Sequence, residues 1–428
     1  LKNVGLIVLD EEQESSYQSE NPPRYHTRDV AKYLCARDKS TLVLGSATPA
    51  VETAWNAEHG IYHKALLRRR YNRQALPEVL VADLKQEIRA GNAGMVGQVL
   101  RTELEENLRR GEQSILLLNR RGSSRYLLCG ECGEVPECPR CSVPMTYHSA
   151  NGRLMCHYCG HSEPAYERCP QCGGIMKHIG TGTQKVEEEL HALFPGAKVL
   201  RMDTDTVGAS HGHEKLLRQF EEEKIPILLG TQMVAKGLDF ENVTLVGVLC
   251  ADASLYIDNY RAPERTFSLL SQVVGRAGRG SKQGRAIIQT FTPENEVIRA
   301  AAAQDYDAFY ESEIRMRRLR RYPPFADLFS FTVTGADESR VIRAAKALRD
   351  ALGYAVERRE ELKPLSIEVL GPAGASVVKV NNRYRYRVFL VGKGCPALRR
   401  LVAEYLYAFY QHKENRGLDI FADCNAIQ

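Results

Sequence analysis

The feature that most restricts this 428-residue chain is a dense group of cysteines in its first half. Eight of the twelve cysteines lie between Cys129 and Cys172, arranged as four C-x-x-C pairs. Each pair can place two thiolates on one metal ion, and four thiolates complete a tetrahedral Zn²⁺ site. Disulfide scaffolds of secreted proteins are usually short, so this clustering in a long chain favours metal binding in a reducing compartment. The cysteines therefore predict two closed, structural zinc sites, with an iron–sulfur or redox role as the alternative.

The spacing between the pairs limits how they can share two ions. Joining the first two pairs leaves only five residues between them, whereas joining the second and third leaves fourteen, close to the spacing of zinc ribbons. We therefore predict a nested arrangement. One ion is bound by Cys138, Cys141, Cys156 and Cys159, and the other by Cys129, Cys132, Cys169 and Cys172. The nearby His148, His157 and His161 are predicted not to be ligands, because thiolates already fill both sites.

Strand and helix signals alternate on both sides of the cysteine block. Short apolar runs, such as 6–9, 41–44, 115–118 and 243–250, are typical of buried parallel strands, and segments with helical periodicity separate them. Repeated strand–helix units imply right-handed crossovers and a mostly parallel sheet. The sequence thus predicts an α/β protein with two such units, the second interrupted by the cysteines. Beyond residue 325 the order becomes βαββαβ, which is a ferredoxin-like α+β pattern.

The predicted boundaries follow from these changes of pattern. The first α/β unit is assigned to 1–70, a connector to 71–97, the second unit to 98–128 and 176–300, the cysteine insertion to 129–175, and the C-terminal α+β domain to 301–428. No apolar run approaches the ~20 residues that a helix needs to span a bilayer, so we expect no membrane partner. The net charge of +5 permits a polyanionic partner without requiring one. Because the chain begins at Leu1, without a methionine and just before a predicted strand, we expect it to be part of a longer protein.

Two acidic residues directly follow the first predicted strand. Carboxylates in this position lie at the carboxyl edge of a parallel sheet, where open α/β proteins bind ligands. Asp10 could hold Mg²⁺ through water, and Glu11 could polarise an attacking water molecule, as in nucleotide hydrolases. A solvated turn after the strand is the alternative for this segment taken alone.

Three further segments fit the same kind of site. Ser46 and Thr48 follow the next predicted strand, and Thr231 follows a strand of the second unit. Arg276 and Arg279 lie three residues apart at the end of a predicted helix, so both can project from one face and offer permanently charged donors to a phosphate. Each segment alone could be an ordinary loop or surface charge, but all four in this order are hard to explain by chance.

The four segments resemble motifs II, III, V and VI of superfamily 2 helicases, in which two RecA-like lobes close on ATP. The matching residues are D-E-E-Q at 10–13, S-A-T at 46–48, G-T-Q-M with K-G at 230–237, and Q-V-V-G-R-A-G-R at 272–279. The resemblance implies that Asp10 binds the metal, that Glu11 is the general base, and that Ser46 and Thr48 couple hydrolysis to strand binding. It also implies that residues of the second lobe complete the nucleotide site: Gly237, Asp239, Gln272, Arg276 and Arg279. Gln13 replaces the histidine that is more common at the fourth position of motif II.

The cysteine insertion in the second lobe narrows the resemblance to the bacterial primosomal replication-restart helicases. Further matching segments are 24–26, 193–196, 322–325 and 370–372, so the similarity spans nearly the whole chain. The family implies an ATP-dependent, 3′-to-5′ DNA helicase with Mg²⁺ and two Zn²⁺ that acts on forked and single-stranded DNA in the cytoplasm. The implied partners are the single-stranded-DNA-binding protein and the primosome and helicase-loading proteins, and we expect a monomer.

A phosphate-binding loop of the form G-x-x-x-x-G-K-[ST] does not occur in the sequence. The family resemblance places this loop upstream of Leu1, together with N-terminal DNA-binding domains. We therefore expect the chain by itself to hydrolyse no ATP. Two other interpretations stay open at this point: another superfamily 2 translocase, and a non-catalytic zinc scaffold that binds fork DNA and fork proteins.

Aromatic and basic residues in several segments are the candidate DNA contacts. Between the acidic motif and S-A-T, rings could stack on bases and cations could hold phosphates; the residues are Tyr17, Arg24, Tyr25 and His26. Residues elsewhere complete the set: Arg120, Arg121, Thr231, Arg383 and Arg385. In the segment 383–387 arginine alternates with tyrosine, which places the arginines on one face of a strand, towards DNA or simply towards solvent. A dense basic run at 315–321 precedes the last domain.

Overall fold

The computed structural model describes residues 3–19, 23–67, 76–92, 94–118, 126–148, 151–179, 182–203, 212–231, 240–278 and 282–425. Some predicted site residues lie outside the described residues: Arg120, Arg121, Gly237, Asp239 and Arg279. The described residues form an N-terminal unit (3–67), a central unit (76–118 and 182–319), a cysteine module (126–179) and a C-terminal domain (327–425). No helix among them has the length and apolar character required to cross a membrane.

The N-terminal unit consists of β1 (Leu6–Asp10), α1 (Thr27–Asp38), β2 (Thr41–Gly45) and α2 (Val51–Glu58). Its two strands pair in parallel, in a register that sets Asp10 opposite Gly45. One face of this pair leaves Leu6, Val8 and Val43 exposed. Because both strands end at the same edge, the acidic segment and the S-A-T segment lie side by side, as the sequence predicts.

The central unit begins with β3 (Glu78–Asp83), α3 (Leu84–Arg89), α4 (Gln98–Arg109) and β4 (Gln113–Leu117). The first two elements lie within 71–97, which the sequence pattern assigned to a connector, and the structure corrects that assignment. Strand β3 pairs in parallel with a later strand along its full length. Val79 and Val81 pack against the main hydrophobic core. Because β3 pairs with only one other strand among the described residues, it is an edge strand of the sheet.

The cysteine module consists of β5 (Tyr126–Cys129), β6 (Thr146–His148), β7 (Arg153–Met155), β8 (Ser162–Pro164) and β9 (Met176–Ile179). Strands β5 and β9 pair antiparallel and close the module at its base. Strands β6, β7 and β8 form a separate three-stranded antiparallel sheet. Because its two ends lie side by side, the insertion leaves the sheet of the central unit intact.

The central unit continues with α5 (Thr183–Leu193), β10 (Val199–Met202), α6 (Gly212–Glu222), β11 (Ile227–Gly230), β12 (Val243–Val248), α7 (Asp252–Leu255), α8 (Ala262–Val274) and β13 (Arg285–Thr290). Its sheet has the order β10-β11-β4-β12-β13-β3, and every pairing is parallel. Strands β4, β11 and β12 are buried throughout, as expected for a parallel sheet with helices on both faces. The prediction of a parallel α/β unit interrupted by the cysteines is confirmed.

Two helices, α9 (Glu296–Ala302) and α10 (Tyr306–Leu319), follow the sheet. Helix α10 packs on the main core through Phe309 and Tyr310, and the Phe309 ring stacks on Phe267 of α8 with centroids 4.4 Å apart. It therefore belongs to the central unit, although the sequence pattern placed the domain boundary before it, at residue 301.

The C-terminal domain consists of β14 (Asp327–Gly335), α11 (Glu338–Arg358), β15 (Glu368–Val380), β16 (Arg383–Gly392), α12 (Pro396–Gln411) and β17 (Asp419–Cys424). The sheet order is β15-β16-β14-β17, with antiparallel pairing throughout. Both helices cover one face, where Leu352 of α11 and Leu398 of α12 are fully buried in the same core as Phe331. The predicted ferredoxin-like arrangement is confirmed.

Candidate functional site

Each C-x-x-C pair lies in a turn with the same backbone geometry. The N–H of the residue after the second cysteine donates to the carbonyl oxygen of the first, at 2.8–3.0 Å. That residue has a positive φ, between 48° and 84°, which glycine tolerates best because it lacks a Cβ. The four residues are Gly133, Ser142, Gly160 and Gly173. Glycine therefore meets the conformational demand at three turns, and Ser142 is the exception.

The turns bring the eight sulfur atoms into two separate groups. The groups are Cys129, Cys132, Cys169 and Cys172, and Cys138, Cys141, Cys156 and Cys159, with ligand atoms within 4.8 Å of one another in each. The Cys129–Cys172, Cys132–Cys169 and Cys138–Cys159 sulfur pairs are 3.5, 3.6 and 3.6 Å apart. A tetrahedron with Zn–S bonds of ~2.3 Å has edges of about 3.8 Å. The geometry fits two zinc ions and confirms the nested pairing.

The histidines near the cysteines make other contacts. Nε2 of His148 lies 3.2 Å from Nε2 of His157, and Nδ1 of His157 lies 2.7 Å from the Gly374 carbonyl oxygen. Burial lowers the pKa of His157 to about 4, so its ring is neutral near pH 7. None of the three histidines joins a metal-holding group among the described residues.

One zinc turn lies where the cysteine module meets two other parts of the chain. The Tyr158 ring stacks on Phe389 of the C-terminal domain with centroids 5.3 Å apart. Its hydroxyl oxygen accepts a hydrogen bond from the Tyr260 N–H of the central unit at 3.1 Å. A Cβ at Gly160 would lie only 2.7 Å from the Pro372 carbonyl oxygen, so glycine permits this close approach. The site formed by Cys138, Cys141, Cys156 and Cys159 thus anchors the C-terminal domain to the central unit.

A chain of hydrogen bonds runs from the acidic segment into the central unit. The Gln13 amide donates to Glu11 Oε2 at 2.7 Å, and its carbonyl oxygen accepts from Ser46 Oγ at 2.6 Å. Ser46 Oγ in turn accepts from the Thr48 N–H at 2.9 Å. The Thr48 and Ser268 hydroxyls are 2.8 Å apart and buried, which links the S-A-T segment to α8. Gln13 therefore occupies a bridging position between the acidic and S-A-T segments.

The third acidic residue of the D-E-E run has a different environment. Glu12 is buried, accepts a hydrogen bond from the Ala50 N–H at 2.7 Å, and pairs with Arg28 at 2.8 Å. Its role is to fix the acidic segment against the start of α2. Sequence reasoning missed this residue, since a run of carboxylates gives no sign of which one points inwards.

The predicted motif VI residues lie along and after α8. Gln272 lines a cleft between the N-terminal and central units, and Gln13 and Ser268 line the same cleft. Arg276 lies in the turn that follows α8 and is half-buried. Thr231 follows β11 at the carboxyl edge of the central sheet, where its N–H donates to the Met202 carbonyl oxygen at 3.3 Å. The structure thus places Gln13, Ser268 and Gln272 around one cleft, and Asp10 is exposed at the end of β1.

The candidate DNA contacts of the N-terminal unit have different surroundings. Tyr25 is 48% exposed, whereas the Tyr17 hydroxyl donates to the Asp10 carbonyl oxygen at 2.8 Å. Arg24 pairs with Asp423 of β17 at 3.4 Å, and its guanidinium lies 3.7 Å from the centroid of the Phe421 ring. His26 caps α1 by accepting from the Arg28 N–H, and burial lowers the pKa of His26 to about 4.

The alternation in β16 is as predicted, but the arginine face is partly covered. Tyr384 and Tyr386 pack against the core of the C-terminal domain. On the other face Arg383 pairs with Asp419 and donates to the Thr334 hydroxyl at 3.1 Å. Arg387 is only 7% exposed, and burial lowers its pKa to about 10, so the expectation of a continuous open arginine face is wrong.

The basic run at 315–321 is divided between interior and surface. Arg318 lies over the Trp55 and Phe325 rings, at 5.6 and 5.0 Å from their centroids. Arg317 is 1% exposed and pairs with Glu264 and Glu313, each at 2.7 Å. Arg317 therefore cannot contact DNA in this arrangement, although it belongs to the dense basic run noted in the sequence.

Arg317 belongs to a buried group of charges that joins the N-terminal and central units. We call this group the ion cluster; it consists of Glu52, Arg261, Glu264, Glu313 and Arg317. Burial opposes ionisation of Glu52, but the charges of Arg261 and Arg317 lower its pKa to about 2. Sequence reasoning missed this group; only the spacing of Glu313 and Arg317, one helical turn apart, hinted at part of it.

Three family models match successive parts of the chain. The PriA DNA helicase Cys-rich region domain matches residues 138–164, the helicase conserved C-terminal domain matches 179–281, and the primosomal protein N C-terminal domain matches 318–425. Among solved structures, yeast Dbp5 bound to RNA and ADP BeF3 aligns with 13% identity and a TM-score of 0.38, over 74% of this chain and 63% of that chain. A score this low supports no conclusion.

Curated relatives match nearly the whole chain. Replication restart protein PriA of Bacillus subtilis is 43% identical over 99% of this chain and 52% of its own length. The proteins of the same name from Synechocystis and Treponema pallidum are 39% and 38% identical, over 91% and 96% of this chain and 47% and 60% of their own lengths. The chain thus spans about half the length of the curated relatives it matches. With two four-cysteine clusters and a parallel helicase-type sheet in the matching segments, the chain belongs to the PriA family of replication restart proteins.

Proposed function

We propose that the chain is part of an ATP-dependent, 3′-to-5′ DNA helicase that remodels stalled replication forks and promotes primosome assembly for restart. In this proposal the N-terminal unit belongs to the first motor lobe and the central unit is the second. The observation that carries the proposal is the hydrogen-bond chain from Glu11 through Gln13 and the S-A-T segment to Ser268 on α8. The same helix continues to Gln272 and leads to Arg276, so it connects the acidic segment to the basic one.

The residues at the end of β1 fit a nucleotide with its metal. Asp10 is exposed at the strand end, and Gly45 beside it has no side chain; a Cβ there would lie 3.5 Å from Asp10 Oδ1. We assign Asp10 to hold Mg²⁺ through water and Glu11 to polarise the attacking water, with Arg276 and Arg279 stabilising phosphate charge from the other lobe. Bound ATP would supply the phosphoryl transfer that drives movement. The hydrogen bond from Gln13 to Glu11 orients that carboxylate.

The remaining assignments concern DNA and partners. Exposed Tyr25 is the favoured base-stacking residue, with Thr231, Arg383 and Arg385 as further candidates. The zinc ions are structural, because all-cysteine sites have no open position. We further propose a monomer that acts in the cytoplasm with the single-stranded-DNA-binding protein and helicase-loading proteins.

DNA-stimulated ATP hydrolysis and unwinding of forked DNA by the full-length protein test this function. Glu11→Gln should lower kcat by about 10² to 10⁴-fold, because it removes a general base. Glu357→Gln, which changes an exposed carboxylate on α11 of the C-terminal domain, is the control and should keep the wild-type rate. Equal rates for both variants would contradict the assignment, and unwinding of RNA duplexes in preference to DNA forks would favour a different translocase. We expect the 428-residue chain alone to show no ATPase activity.

A further inference from the structure

A carboxylate of the central unit caps a helix of the N-terminal unit. Glu264 on α8 accepts a hydrogen bond from the Val51 N–H at the start of α2, at 2.9 Å, and both residues are buried. The first N–H groups of a helix have no partner within the helix and carry the positive end of its dipole, so an anion stabilises them. Helix α2 begins three residues after Thr48, and the cap therefore holds the S-A-T segment against α8.

The ion cluster gives this cap a fixed orientation. The second oxygen of Glu264 accepts from Arg317 at 2.7 Å and from Arg261 at 3.1 Å. Arg261 also donates to both oxygens of Glu52, on α2 itself, at 2.6 and 3.0 Å. A guanidinium that binds a carboxylate through two parallel bonds restricts both distance and angle. The first turn of α2 is therefore held by two neighbouring contacts from the central unit.

Helix α10 contacts the region where α2 meets α8 from both of its ends. Arg317 of α10 reaches Glu264 and also donates to the Pro323 carbonyl oxygen at 3.3 Å, just before the C-terminal domain begins. The Tyr306 hydroxyl at the other end of α10 donates to the Pro49 carbonyl oxygen at 2.8 Å, between the S-A-T segment and α2. A shift of α2 relative to α8 would thus move or break contacts at both ends of α10.

We propose that Glu264 is a positioning residue of the motor cycle, which sets how the S-A-T segment and α2 dock on α8. The inference rests on the proposed function and extends it to a residue outside the four motif-like segments. Glu264 itself touches no nucleotide in this assignment; it acts through Val51, Arg261 and Arg317.

Trp55, the single tryptophan of the chain, reports on this docking. Its ring lies on α2, 4.9 Å from the Phe325 ring. Glu264→Ala should red-shift Trp55 emission and increase its quenching by iodide, because α2 loses its cap. Glu264→Gln keeps an oxygen that can accept from the Val51 N–H and should stay closer to the wild type. Glu311→Gln, an exposed position on α10, is the control and should match the wild type.

A second variant removes the other half of the bond without touching the ion cluster. Val51→Pro deletes the donor N–H, and proline suits the first position of a helix. Ala50 has φ −58° and ψ 141°, a conformation that a residue before proline readily adopts. Val51→Pro should therefore keep the start of α2 helical, at the cost of some packing because Val51 is fully buried in the main core. Far-UV circular dichroism checks that the fold is kept, and the variant should then reproduce the quenching change of Glu264→Ala.

The full-length protein supplies the functional readout. Glu264→Ala and Val51→Pro should each lower the DNA-stimulated kcat by about 10²-fold, because small misplacements of reacting groups cost this much. The KM for ATP should stay near the wild-type value. Wild-type quenching and wild-type stimulated kcat in Val51→Pro would overturn the proposal. If the unaltered full-length protein hydrolyses no ATP on DNA, the proposed function fails, and Trp55 quenching still decides whether the cap positions α2.

Discussion

Two adjacent arginines in one basic run offer a sharp comparison between interior and surface. Arg317 is 1% exposed and lies among the carboxylates of Glu264, Glu313 and Glu52, whereas Arg318 is exposed and lies over two aromatic rings. Substituting each by methionine removes the same charge and keeps a long apolar stem. Any difference in stability between Arg317→Met and Arg318→Met therefore reports their surroundings.

The expected magnitudes differ clearly. Removing one partner of a buried ion pair costs about 3–5 kcal/mol, because the remaining charges stay buried and uncompensated. An exposed cation–π contact contributes only about 0.5–1 kcal/mol. With a urea m-value of ~3 kcal/mol per M, Arg317→Met should lower the unfolding midpoint by about 1–1.7 M and Arg318→Met by about 0.3 M or less.

Urea unfolding followed by far-UV circular dichroism measures both midpoints under one set of conditions. Circular dichroism is preferred to fluorescence here, because Arg318 lies directly over Trp55 and its removal changes the emission of that ring. Equal midpoints for the two variants, or a larger loss in Arg318→Met, would refute the account of Arg317 as the buried centre of the ion cluster.

Three further outcomes follow from the site geometry. Native mass spectrometry should find two zinc ions per chain, and Cys159→Ser and Cys172→Ser should each lose one of them. Only Cys159→Ser should also lower the melting temperature of the C-terminal domain, because the zinc site that contains Cys159 anchors that domain. Ionised Glu52 stabilises the packing of α2 against the central unit, and this contribution is complete at pH values above 4.5, the ordinary pKa of a glutamate. Because the pKa of Glu52 in the folded protein is about 2, this packing, monitored by Trp55 emission, should weaken as the pH falls from 4.5 towards 2. An unchanged signal over this range would contradict the ion cluster. Ser142→Gly should stabilise the cysteine module by up to about 1 kcal/mol and slow zinc release to a chelator, because glycine relieves the positive φ; faster release would count against that explanation.

The zinc sites could be derived from the sequence because their chemistry is local. Four C-x-x-C pairs admit few pairings, and loop length favours one of them, as the 3.5–3.6 Å sulfur separations confirm. The ferredoxin-like domain was predictable for a similar reason, since the period and order of its elements fix the antiparallel arrangement. Both inferences depend on spacing along the chain, which a sequence displays directly.

The ion cluster and the cap could not be derived in this way. Glu52, Arg261 and Arg317 come from three segments far apart in the sequence, and each resembles ordinary surface charge. Glu12 likewise looks the same as Glu11 until the fold buries it beneath Ala50. Strand β3 was missed because a short run of apolar residues at a sheet edge has too little periodicity to distinguish it from a loop. In each of these cases the surroundings of the residue are formed by segments that are distant in the sequence.

The central claim is that the acidic segment of the first lobe and the arginine segment of the second bind one nucleotide between them. Cryo-electron microscopy of the full-length protein on forked DNA with a non-hydrolysable ATP analogue tests it directly. The account predicts density for the analogue with its phosphates between Asp10 and Arg276, beside the Glu11–Gln13–Ser46 hydrogen bonds. Nucleotide bound elsewhere, with Asp10 and Arg276 on unrelated surfaces, would contradict it.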